Sequence, residues 1–111
     1  MRKIFVTFQR EGIHQYHNAP DAVAYLRFPH RHMFHFKVTM EVYHDDREVE
    51  FIMFKHELEN LYSSDVMQLD FRSCEMIADD IAFYLNHKYP ERWYEIEVSE
   101  DGENGAILTK E

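Results

Sequence analysis

His32-Met33-Phe34-His35-Phe36-Lys37-Val38-Thr39-Met40-Glu41-Val42 places Phe34, Phe36, Val38, Met40 and Val42 at alternate positions, with Met33, His35, Lys37, Thr39 and Glu41 between them. Side chains of a strand point alternately to its two faces, so this stretch predicts a long strand with one buried side. A sheet with a single buried face needs a second layer to cover it, and the segments on either side supply candidates.

Upstream, Lys3 to Gln9 alternates Ile4, Val6 and Phe8 with Lys3, Thr7 and Gln9, which predicts a first strand. Arg10 to Pro29, broken by Gly12, Asn18 and Pro20, reads as a loop longer than compact domains usually carry, and such loops are usually functional. Downstream, His44-Asp45-Asp46 reads as a turn and Glu48 to Phe54 as the second arm of a hairpin. Phe51 and Met53 would then oppose Ile52 and Phe54, an arm apolar on both faces that calls for cover by helices and by a partner subunit.

Leu58, Leu61 and Tyr62 within Lys55 to Ser63 have the spacing of a short helix. A longer helix is predicted from Ser73 to about His87, with Ser73 as its N-cap, Cys74, Ile77, Ile81, Tyr84 and Leu85 on one stripe, and Pro90 as the stop. Trp93 to Ser99 alternates once more, and Asp101-Gly102 with Asn104-Gly105 turns the chain into Ala106, Ile107 and Leu108. The expected layout is a single domain over residues 1–111 of α+β class. Its order is strand, strand, helix, helix, strand, strand.

Charge narrows the partners. With 21 acidic and 12 basic residues the formal net charge is -9, a field that repels nucleic acid and anionic membranes. The single cysteine, Cys74, excludes an internal disulfide framework and any cysteine-rich zinc module. No apolar run approaches the roughly 20 residues that span a bilayer, and Met-Arg-Lys-Ile-Phe-Val lacks the apolar stretch of a secretory signal. A cytoplasmic location is the expectation.

Eight histidines remain to be explained. His30 and His32 lie two apart on the strand and share the side of Phe34 and Phe36, so both imidazoles can reach one metal ion. A third could come from the preceding loop, through His14 or His17. Three neutral imidazoles suit zinc and leave one tetrahedral position for water or substrate. A fourth protein ligand is not evident. The competing reading is a pair of strand-edge histidines without metal; His35 on the opposite face, His44 in the turn, and His56 and His87 near element ends read as surface residues.

The order of elements together with His30-Arg31-His32-Met33-Phe34-His35-Phe36 resembles the 6-pyruvoyl- and 6-carboxy-tetrahydropterin synthases of the tunnelling-fold (T-fold) group. In that family a His-Gly-His opens the second strand. Ser73-Cys74-Glu75-Met76-Ile77-Ala78 is similar to the family's helix start, Thr-x-Glu-Asn-Leu-Ala. The resemblance implies an antiparallel four-stranded ββααββ subunit with two helices on one face, assembled into a homo-oligomer. It implies zinc on His30 and His32 with His14, or else His17, as the third ligand, a reduced pterin or related purine-like ligand, and lyase chemistry. Glu100, in Ile96-Glu97-Val98-Ser99-Glu100-Asp101, takes the place of the glutamate that anchors the pterin ring by two parallel hydrogen bonds, with Glu97 as the fallback. The family's catalytic cysteine and Asp-His pair have no counterpart: residues 10–29 contain no cysteine, and no Asp-His dipeptide occurs. The catalytic residues are therefore unassigned, and a non-catalytic ligand-binding or interaction protein is the alternative.

Overall fold

The computed structural model describes residues 1–111. Strands β1 (Arg2–His14) and β2 (His30–Val42) pair antiparallel along their full lengths, from Arg2 opposite Val42 to His14 opposite His30. β1 thus runs through the first quarter of the segment expected to be loop. Its continuation is held on both sides, by β2 and by a short strand β3 (Met67–Asp70) that pairs in parallel with Gly12 to His14. The rest of the expected loop is not featureless either: Asp21–Arg27 winds into 3-10 turns, closed by Arg27 donating to the carbonyl of Ala19 and to Asp21.

The hairpin expected between His32–Val42 and Glu48–Phe54 does not form. α1 begins at Phe51 and runs to Glu59, four residues ahead of the helix expected at Lys55. Glu50 explains the start, because its carboxylate accepts from the backbone N–H groups of Ile52 and Met53, two donors that no helical carbonyl can satisfy. Phe54 and Leu58, one turn apart, are the only buried residues of α1, and burial of each stabilises the fold by about 2–3 kcal/mol. Phe51, Ile52 and Met53 face solvent. Four consecutive apolar residues imitate a buried strand although just one of them is buried.

α2 (Cys74–Lys88) follows the sequence closely, with the Ser73 hydroxyl accepting from Met76 N–H and Cys74, Ile77, Ala78, Ile81, Ala82 and Leu85 buried. β4 (Tyr94–Glu100) pairs antiparallel with β2, and β5 (Asn104–Thr109) with β4. The sheet order is β3-β1-β2-β4-β5. The expected antiparallel sheet of four strands is corrected to a mixed sheet of five, the fifth being β3, whose four residues are too few to display a period. Both helices pack on the face carrying Val6, Phe8, Phe34, Phe36, Val38, Met40, Ile96 and Val98, and the core lies in that layer. No helix is long and apolar enough to cross a membrane.

Candidate metal centre

Strand parity brings four polar residues onto the core-facing side of the sheet at one end. His14 is the last residue of β1, His30 and His32 open β2, and Glu100 ends β4. All four continue the buried alternation of their strands, His14 after Phe8 and Gly12, Glu100 after Ile96 and Val98. Pairing then aligns them across strands, with His14 opposite His30, Gly12 opposite His32 and Glu100 opposite Phe34. Gly12 is needed for this closeness, since a Cβ there would lie 2.9 Å from Leu69 and 3.0 Å from the Phe34 ring.

One ligand atom from each of His14, His30, His32 and Glu100 falls within 4.8 Å of all the others. Tetrahedral zinc with bonds of about 2.0–2.1 Å sets its donors about 3.4 Å apart, so small side-chain rotations gather the four into a coordination sphere. The imidazoles meet edge to face, with centroids 4.6 Å apart for His14 and His30 and 4.9 Å for His30 and His32.

Each ring is fixed from behind. His14 Nδ1 donates to the carbonyl of Arg72 at 2.8 Å, His30 Nδ1 to the carbonyl of Phe28 at 2.9 Å, and His32 Nδ1 to the Asp101 carboxylate at 2.7 Å. A carbonyl or carboxylate can only accept, so the proton of a neutral ring resides on Nδ1 and the Nε2 lone pair is left for a metal. Outer partners of this kind are the usual companions of metal-bound histidine. Asp101 also accepts from Met33 N–H, and these two hydrogen bonds hold its carboxyl below the ordinary carboxylate range.

The inner nitrogens fit a cation better than they fit one another. His14 Nε2 lies 2.7 Å and His32 Nε2 3.4 Å from Glu100 Oε2, yet neither buried Nε2 makes an aligned hydrogen bond. A buried polar atom without a partner is costly, and a metal ion is the partner that three lone pairs and a carboxylate would share. His17 is not in the group; its ring stacks edge-on against Phe71. His14 is therefore the third histidine, delivered by a strand and not by a loop. Glu100 supplies the fourth donor that was not evident in the sequence, while Glu97 sits exposed on the opposite face.

A cleft of about 560 Å³ opens beside the cluster, with His14, His30 and Glu100 in its wall together with Tyr16, Phe71, Glu75, Met76 and Asn104. Cys74 lines it too, but burial, with the neighbouring charges of Glu100 and Glu75, pushes its thiol up to about 11, so it carries no thiolate at neutral pH. Comparison with protein-family models and with curated proteins finds no match. The class is thus defined by fold and site alone: an α+β domain with a His-His-His-Glu group able to hold a metal ion.

Proposed function

We propose that the protein is a zinc-binding, pterin-synthase-like domain that holds a reduced pterin or related purine-like ligand in the cleft beside the metal. The convergence of His14, His30 and His32 with Glu100, each ring locked with its proton outward, carries this reading. Three imidazoles and a carboxylate are a donor set suited to zinc. Bound there, zinc would act as a Lewis acid toward an oxygen of the ligand. The chain's own contribution is positional. The histidines fix the metal, Glu100 fills the remaining position or turns outward to accept from an amino-pyrimidinone edge, and Tyr16 and Phe71 offer flat apolar walls.

Binding without turnover is the reading favoured by the composition of the cleft. Its one thiol is Cys74, held protonated and packed into the core, and no Asp-His dipeptide occurs in the sequence. The same reading includes assembly into a homo-oligomer, supported by two open sheet edges: β1 from Arg2 to Glu11, beyond its pairing with β3, and the outer side of β5.

Metal analysis of protein purified without chelator tests the proposal, with wild type expected to carry about one zinc per chain for a mononuclear site and His30→Ala/His32→Ala none. Calorimetric titration with tetrahydropterin then separates the outcomes. Zinc with pterin binding supports the whole reading, zinc without it leaves a metal-binding domain of another ligand class, and metal-free wild type that folds normally overturns the zinc centre.

A further inference from the structure

Of the three outer partners, two are backbone carbonyls that no substitution can remove; the third is the side chain of Asp101. Asp101 directly follows Glu100, in the turn between β4 and β5, where Asp101 and Gly102 both adopt left-handed backbone with φ of 58° and 70°. Glu103 N–H closes this turn onto the Glu100 carbonyl at 3.0 Å. The turn is fastened to β2 by three hydrogen bonds at one residue. Asp101 N–H donates to the Met33 carbonyl at 2.8 Å, Asp101 Oδ1 accepts from Met33 N–H at 3.0 Å, and Asp101 Oδ2 accepts from His32 Nδ1 at 2.7 Å.

We infer that Asp101 is the positioning residue of the centre, holding His32 in the tautomer that turns a free Nε2 lone pair toward His14 and Glu100. The inference rests on the metal reading for its consequence but not for its geometry. Both carboxylate oxygens are committed, one to Met33 and one to His32, so an amide cannot replace them. With an asparagine oxygen on Met33 N–H, its NH2 group faces His32 Nδ1 and demands a lone pair there, which moves the ring proton to Nε2 and blocks ligation. Turned the other way, the NH2 group meets the Met33 N–H, donor against donor.

Asp101→Asn is the decisive variant because asparagine tolerates left-handed backbone and so preserves the turn. Two readouts are needed. Long-range 15N–1H NMR on metal-free protein reports the His32 tautomer: wild type is expected as Nδ1–H, the variant shifted to Nε2–H. Competition with a chromophoric chelator reports zinc affinity, expected to fall about 10- to 100-fold, as it does when an outer partner of a metal ligand is lost. Glu103→Gln, which removes a like charge from the same turn, is expected to change neither. A wild-type His32 found as Nε2–H, or a variant with unchanged tautomer and affinity, overturns the role of Asp101. Wild type that binds no zinc but shifts its tautomer on substitution overturns the metal reading alone.

Discussion

The buried face of the sheet ends in polar residues on both sides, and the two ends are built on opposite rules. At the far end from the histidines, Arg92 donates to Glu48 through both terminal nitrogens, at 2.8 and 2.7 Å, and to the carbonyl of Glu41. Its guanidinium lies over the Tyr43 ring at 4.1 Å, and Glu48 also accepts from Tyr43 N–H. Charge meets opposite charge in a planar fork, and nothing is left over. At the histidine end the outward nitrogens are all satisfied, and the inward ones at His14 and His32 are not. A closed polar cluster holds structure together. One that points spare lone pairs at a common centre is built to receive something.

That contrast has consequences that can be broken. The largest is the response to zinc: at a free concentration about a thousandfold above Kd, a ligand bound only by the folded state stabilises it by about 4 kcal/mol. Thermal unfolding with and without zinc is expected to show this gain in wild type, to lose it in His14→Ala, and to keep it in Arg92→Ala. A zinc response that survives in His14→Ala would place the binding elsewhere.

Next comes the closed end. The Arg92 and Glu48 side chains are only 12% and 18% exposed, so Arg92→Ala strands a carboxylate that water reaches poorly, and the expected loss is about 3 kcal/mol by urea denaturation. Zinc binding should be untouched, which would establish that the two ends are energetically separate. Acid provides a finer cut on the same pair. The Arg92 hydrogen bonds, with help from Tyr43 N–H, lower Glu48 from its ordinary 4.5 to about 2. Its folded-state value is depressed, so the stabilisation is complete above pH 4.5 and is lost as pH falls toward 2. Denaturation at pH 5 and at pH 2.5, about the span of that loss, should show a smaller acid destabilisation in Arg92→Ala than in wild type; equal losses would mean other carboxylates dominate.

The two ends also differed in how far they could be read from the chain. His30 and His32 were legible because strand parity alone sets their direction, and Ser73 with the α2 stripe was legible because a cap and a 3.6-residue period reinforce each other. His14 could be proposed but not chosen over His17, since the strand that carries it is held by pairing with β2 and β3, and pairing is a long-range property. The resemblance offers Glu100 as a ring anchor and not as a metal donor; its parity with Ile96 and Val98 and the register that sets it opposite Phe34 together bring it to the histidines. The Phe51–Phe54 run misled for a related reason. Its helix depends on the Glu50 cap and on Phe54 and Leu58 finding the core, and hydrophobicity is silent on both. The Arg92–Glu48 fork joins residues 44 apart and left no trace in local pattern.

The smallest effect asks the sharpest question, which is what Glu100 does. Its oxygen sits against His14 and His32, where it can complete a metal sphere, but the same carboxylate lines the cleft, where it can face a ligand ring. Glu100→Gln keeps the shape and all three histidines. If Glu100 is a ligand, zinc affinity should fall about tenfold, about 1.4 kcal/mol, because one anionic donor of four becomes a weak neutral one. Glu97→Gln, three residues earlier on the exposed face, should not change it. If instead zinc affinity is unchanged and tetrahydropterin binding is lost, Glu100 anchors the ring, and the position it vacates on the metal belongs to water or to the ligand. The two roles make opposite demands on one carboxylate, and this pair of titrations distinguishes them without any need for turnover.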